Sequence, residues 1–133
     1  MSTKKECILI VDDNDNNLFS LAALLEREDY KVIQVKNSMD TLKILSSNKV
    51  DLVLLDLMMP LMDGFEILKQ IRNKFSMLEL PVIIITIRDE EKMTIKALDL
   101  GANDYIVKPI SNTLTLARVK TQLNLKNMHQ KYK

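Results

Sequence analysis

Cys7 is the only cysteine among the 133 residues, so the chain cannot form an internal disulfide. No apolar run approaches the roughly 20 residues that a membrane-spanning helix needs. A secretory leader is not expected either. The lysines near the N-terminus are followed only by Cys7 to Val11, which is short and runs into Asp12 and Asp13. There is no internal repeat and no low-complexity linker. Acid is missing from residues 111–133, which hold Arg118, Lys120, Lys126, Lys131 and Lys133. With a net charge of +1 over the chain, that leaves −4 on the first 110 residues. The basic tail has no aromatic or arginine clustering of the kind that binds nucleic acid, and reads as a solvated helix face. These absences lead us to expect a cytoplasmic protein that touches neither membrane nor nucleic acid directly.

What is present is ordinary in bulk. The chain is 47% hydrophobic and 28% charged, suited to one globular domain with a core of its own. The most informative stretch runs from Asp51 through Leu52, Val53, Leu54 and Leu55 to Asp56, with Pro60 and Gly64 beyond. A short apolar run bounded by turn residues predicts a strand buried on both faces. It ends on a carboxylate, which is costly to bury without a partner.

The rest of the chain alternates. Strands are expected at Cys7–Val11, Lys31–Val35, up to Asp56, at Val82–Thr86 after Pro81, and at Tyr105–Val107. Between them lie helical patterns. Leu18, Leu21, Ala22, Leu24 and Leu25 mark the first, which Asp29 ends. Ser38 is expected to cap the second, with Met39, Leu42, Ile44 and Leu45 on its apolar face and a loop from Ser46 to Lys49. Asp63 and Gly64 open the third, which carries Phe65, Ile67, Leu68 and Ile71. The fourth spans Asp89 to Leu100, with Met93, Ala97 and Leu100 on one side and Gly101 after it. Asn112 or Thr113 is expected to cap the last. Strict alternation predicts an α/β fold, a doubly wound five-stranded parallel sheet of order 2-1-3-4-5.

In such a sheet, ligands bind beyond the carboxyl ends of the strands. Asp12 and Asp13 end strand one, Asp56 strand three, Thr86 strand four and Lys108 strand five. The topology gathers them on one edge. Three carboxylates spaced about 4 Å apart repel by up to about 4 kcal/mol per pair at an effective dielectric of 20. One must be protonated or a cation must sit among them, and a hard divalent ion such as Mg²⁺ fits. Lys108 adds a point charge and Thr86 a hydroxyl donor. A carboxylate beside two such charges is a plausible nucleophile toward phosphorus.

The residues resemble the receiver domain of two-component response regulators. The matching pieces are Ile10-Val11-Asp12-Asp13-Asn14, the run from Asp51 to Pro60, Met62-Asp63-Gly64, the run from Pro81 to Thr86, Gly101-Ala102-Asn103-Asp104-Tyr105 and Lys108-Pro109. They cover roughly residues 6 to 125. The resemblance implies that Asp56 accepts a phosphoryl group from a sensor histidine kinase or a histidine phosphotransfer protein. It implies that Asp13, Asp56 and the backbone carbonyl of Met58 hold Mg²⁺, with Asp12 binding through water. It assigns Lys108 and Thr86 to the phosphoryl group, makes Thr86 and Tyr105 a switch pair, and expects a cis peptide at Lys108-Pro109. Such a protein is not an enzyme in the ordinary sense, although it assists its own phosphorylation and dephosphorylation. Its readout face would be the fourth helix, fifth strand and fifth helix, roughly Glu90 to Arg118.

Three positions depart from the usual pattern or vary within it. Ile87 stands where the family usually has a small residue, and Met58 and Arg88 flank the expected path of water to the phosphoryl group. A long-lived phosphorylated form is therefore expected. Residues 1–125 are expected to form the domain. Residues 126–133 would extend the last helix as a linker to an attached output domain. Leu114, Thr121, Leu125, Met128 and Tyr132 form a second stripe on that helix, and homodimers through it or through the readout face are conceivable. Other readings have less in their favour. A scaffold that is never phosphorylated would not need all of Asp12, Asp13, Asp56, Thr86 and Lys108. A hydrolase of the haloacid dehalogenase type needs a second Asp where this chain has Met58. A nucleic-acid binder would need a recognition motif in the basic tail.

Overall fold

A computed structural model describes residues 5–60 and 63–131. Met62, Tyr132 and Lys133, which entered the reading above, lie outside the described residues. The elements are β1 (Cys7–Val11), α1 (Asp15–Arg27), β2 (Lys31–Val35), α2 (Ser38–Ser47) and β3 (Leu52–Asp56), followed by α3 (Gly64–Lys74), β4 (Val82–Ile87), α4 (Glu91–Asp99), β5 (Asp104–Lys108) and α5 (Asn112–Lys131). All strand pairs are parallel and the order is β2-β1-β3-β4-β5. The expected α/β topology is therefore the observed one.

The alternation of side chains along each strand builds two cores. Ile8, Ile10, Leu52, Leu54, Ile83, Ile85 and Ile106 pack with buried residues of α1 and α5. Leu9, Val11, Val53, Leu55, Val82 and Ile84 pack with Leu45, Ile67, Leu68, Ile71 and Ala97 of α2, α3 and α4. Both faces of β1 and β3 are thus covered, which is why their sequences are continuous apolar runs rather than alternating ones. Among the described residues, no helix is long and apolar enough to cross a membrane.

Several element ends differ from expectation, each for a local reason. Asn37, not Ser38, caps α2, its side chain accepting the Asp40 N–H at 2.8 Å. That start shifts the inward face: Thr41 is buried, while Met39 is 74% exposed. The hydroxyls of Ser46 and Ser47 bond back to the Lys43 carbonyl, so α2 runs through them to Ser47. α4 begins at Glu91 because Asp89 sits at φ 69°, outside the helical region. Ser111 takes the capping role expected of Asn112 or Thr113: its Oγ accepts the Leu114 N–H at 3.2 Å.

The basic tail is not all solvated either. Lys126 is buried on α5 and Arg118 is half-buried, and each is paired with an aspartate. One further anchor had no signal in the sequence. Arg72 donates to the carbonyls of Gly101, Phe75, Ser76 and Leu80 and to Asn103 Oδ1, tying the end of α3 to the loops before β4 and β5. Burial lowers its pKa to about 10, so it stays charged at neutral pH.

Candidate functional site

Two strand-end aspartates form the same local structure. Asp12 Oδ1 accepts the Asn14 N–H at 3.0 Å, and Asp56 Oδ1 accepts the Met58 N–H at 2.7 Å. Each is a carboxylate bonding its own chain two residues on, a turn that aspartate favours. One oxygen of each is thereby fixed, leaving the second for a different partner. Val11 pairs with Leu55, so the next residues along, Asp12 and Asp56, stand side by side on neighbouring strands.

The second oxygens have different fates. Lys108 Nζ donates to Asp56 Oδ2 at 2.6 Å; Asp56 is 1% exposed and the lysine 26%. Asp12 Oδ2 is buried with no hydrogen-bond partner among the described residues. Burial above all, with the neighbouring Asp56 carboxyl adding to it, pushes Asp12 up to about 6 against the pull of the Asn14 N–H. Asp13 is half-buried beside it. Gly64 brings α3 close: a Cβ there would stand 3.0 Å from Leu57 Cδ2 and 3.3 Å from the Asp56 carbonyl. A larger residue would push the turn after Asp56 away from the site.

Thr86 is 1% exposed, and its hydroxyl too has no hydrogen-bond partner among the described residues. It pairs with Val107, and Ile84 pairs with Tyr105, so Thr86 and Tyr105 project from the same face of the sheet. Tyr105 is half-buried and borders a groove of about 530 Å³ with Ile87, Arg88, Thr94, Ile95, Leu98 and Val107. Ile87 pairs with Lys108 on the ladder. The Lys108–Pro109 peptide is cis. Asp12, Asp56 and Lys108 thus meet at one end of the sheet, Thr86 lies beside them, and Tyr105 lies farther out toward α4.

The donor set suits a hard cation. Among the described residues, no three His, Cys, Asp or Glu side chains form a cluster sized for a metal. Mg²⁺ does not need three, because it takes one or two carboxylates and completes its shell with water and other oxygens. The unpartnered Asp12 oxygen next to a second carboxylate fits such an ion. Asn14 entered the sequence reading only as part of a motif, and its place in the Asp12 turn and as the cap of α1 was not assigned there. Arg118 was read only as one of the basic tail residues and as the end of the readout face, and its contacts with Asp104 and Tyr105 had no sequence signal.

The family model for the response regulator receiver domain matches residues 8–120. The chain belongs to that family. A curated relative, the alkaline phosphatase synthesis transcriptional regulatory protein PhoP of Bacillus subtilis (strain 168), is 40% identical to this receiver domain over 116 residues. The match takes in 87% of this chain and 48% of the relative. The chain spans about half the length of the curated relatives it matches. A CheY-like response regulator receiver domain protein from Methanospirillum hungatei JF-1 superposes with a TM-score of 0.86 at 27% identity, covering 95% of this receiver domain and 99% of its own chain. The signal receiver domain of a signal transduction histidine kinase from Syntrophus aciditrophicus gives 0.80 at 30% identity, covering 90% of each.

Proposed function

We propose that this receiver domain takes a phosphoryl group onto Asp56 from a phosphohistidine of a sensor kinase or a histidine phosphotransfer protein. The observation that carries the reading is the environment of Asp56: a buried strand-end carboxylate with the Lys108 ammonium on one oxygen and the Met58 N–H on the other. Asp56 Oδ2 attacks phosphorus, the phosphorus–nitrogen bond breaks, and the imidazole leaves. The Lys108 ammonium moves from the carboxylate to a phosphoryl oxygen, and Thr86 gains an acceptor for its hydroxyl. Asp12, Asp13, Asp56 and the Met58 carbonyl would hold Mg²⁺. Bound there, the ion would neutralise charge on the phosphoryl oxygens.

The phosphoryl group acts as a ligand that shifts a two-state equilibrium by its differential contacts, here with Thr86 and Lys108. Tyr105 follows Thr86, and the face built from α4, β5 and α5 carries the change. Ile95, Leu98, Val107 and Leu114 are exposed large apolar residues on these elements, which supports a docking or homodimer face there. Leu125 and Met128 are exposed near the end of α5, which supports the last helix as the other route to a dimer. Residues 1–125, with Lys126 still anchored to Asp51, serve as the receiver, and the residues that follow up to 133 as the start of a linker to an output domain. The span of only half of each curated relative favours that arrangement. On this reading the domain works in the cytoplasm and is not itself a turnover enzyme.

The test is intact mass after incubation with Mg²⁺ and acetyl phosphate. Wild type should gain one phosphoryl group and Asp56→Asn none. No gain in wild type would leave a phosphorylation-independent scaffold as the reading to pursue.

A further inference from the structure

Arg118 projects from α5 over the ring of Tyr105, its guanidinium carbon 5.4 Å from the ring centroid. It is held there from the side. Arg118 Nη1 donates to Asp104 Oδ1 at 2.7 Å, and the same oxygen accepts the Tyr105 N–H at 2.8 Å. Asp104 and Arg118 are 21% and 29% exposed, so the pair is only partly open to water. Arg118 Nε is buried with no hydrogen-bond partner among the described residues. The arginine is thus committed by one ion pair and one stacking contact, with a buried donor left over. An arrangement of that kind holds firmly enough to bias a side chain without locking it.

Asp104 and Tyr105 are neighbours on β5, and Arg118 reaches both from α5. Any move of the Tyr105 ring away from its present place breaks the stacking contact. Thr86, on the same face of the sheet, has a hydroxyl with no hydrogen-bond partner among the described residues, and Lys108 is paired with Asp56. Arg118 thus contacts Tyr105 in the arrangement in which Lys108 is engaged by Asp56.

We infer that Arg118, clamped by Asp104, is a positioning residue that holds Tyr105 in its resting place and so sets how readily the domain responds to phosphorylation of Asp56. The inference rests on the phosphoacceptor reading given above. A contact made in only one of two states lowers the apparent affinity for whatever favours the other. Arg118 acts on the resting side of that balance. A half-exposed cation–π contact corresponds to roughly a two- to fivefold bias.

The experiment uses the full chain labelled with fluorotyrosine and Mg²⁺ present. It compares wild type, Arg118→Ala, Arg118→Lys and Asp104→Asn. Fluorine spectra report Tyr105 before and after acetyl phosphate, with Tyr105→Phe assigning the resonance, and intact mass gives the phosphorylation rate. In unmodified Arg118→Ala, the Tyr105 resonance should lie part-way toward its phosphorylated position, and phosphorylation should be roughly two- to fivefold faster. Arg118→Lys keeps the charge next to Asp104 and should restore most of the wild-type rate, while Asp104→Asn should act in the direction of Arg118→Ala. Thermal melts check that each variant is folded. Should Arg118→Ala melt early, Asp104→Asn and Arg118→Lys carry the comparison. An unmoved resonance and an unchanged rate, in a wild type that does gain a phosphoryl group, would overturn the role of Arg118 alone. A wild type that gains none would sink the phosphoacceptor reading and this inference with it.

Discussion

Lys126 Nζ lies 2.7 Å from Asp51 Oδ1, with only 4% and 13% of the two side chains exposed. The other oxygen of Asp51 accepts the Cys7 N–H at 2.8 Å. One carboxylate therefore joins the start of β1, the entry to β3 and the late turns of α5. It lies at the opposite end of the sheet from Asp56. The helix does not leave the domain at Leu125 but is held for at least one more residue.

Removing one member of a buried ion pair leaves the other charge stranded, at a cost of about 3–5 kcal/mol. Lys126→Ala should lose stability on that scale in chemical denaturation. A chain ending at Leu125 should lose about as much. The double variant Asp51→Asn, Lys126→Met should recover most of the loss, because no buried charge remains and the introduced amide oxygen can still accept the Cys7 N–H. A loss below about 1 kcal/mol for Lys126→Ala would mean that the pair is solvated and the end of α5 is free.

The sheet was legible because burial on both faces writes β1, β3 and β4 as apolar runs, and strict alternation with helices leaves few topologies. The site was legible because that topology sends every strand end to one edge. Side chains that act at long range were not. Nothing local distinguishes Lys126 from Lys120, since the partner of Lys126 lies 75 positions away. Arg72 bonds mostly to backbone carbonyls, which leave no trace in side-chain patterns. Cap positions slipped by one or two residues because Asn37 and Ser38, or Ser111, Asn112 and Thr113, are all competent caps. Which one is used depends on where the preceding loop delivers the chain.

Asp12 gives the molecule a pH signature. Its carboxyl binds a proton up to about pH 6 when folded but only to about 3.8 when free. Between those values the folded state holds more protons, so stability falls as pH rises through the window. The contribution is fully present below about 3.8, is lost above about 6 and amounts to about 3 kcal/mol at most. In Mg²⁺-free buffer, Asp12→Asn should flatten the fall in stability between about pH 4 and 6. Millimolar Mg²⁺ should stabilise wild type more at about pH 7.5 than at about pH 5, because a cation favours the charged carboxylates. Parallel wild-type and Asp12→Asn profiles would refute the assignment.

Thr86 carries a buried hydroxyl with no hydrogen-bond partner among the described residues. Valine keeps its shape and removes the group that buries at a cost. Thr86→Val should therefore stabilise the unmodified protein by about 1 kcal/mol. It should still take a phosphoryl group on Asp56, read by mass, but the Tyr105 signal should no longer respond to it. A destabilised Thr86→Val would show that the hydroxyl is hydrogen-bonded at rest, and the argument for its recruitment by a phosphoryl group would fail.

Met58 is half-buried, with its N–H fixed on Asp56, and Arg88 is exposed at the edge of the groove beside Tyr105. Hydrolysis of an aspartyl phosphate needs a water held in line with the phosphorus–oxygen bond, and a side chain that orients water speeds it. A thioether is a weak acceptor and gives such a water little to hold. The phosphorylated domain should therefore keep its phosphoryl group for minutes or longer at neutral pH with Mg²⁺ present. Met58→Asn supplies an amide that can orient water and should shorten the half-life several-fold, with Arg88→Ala adding to the effect by opening the approach. Decay followed by intact mass after removal of acetyl phosphate decides it. A wild-type half-life of seconds would mean that water reaches the phosphoryl group past both side chains, and that Met58 and Arg88 do not set the lifetime.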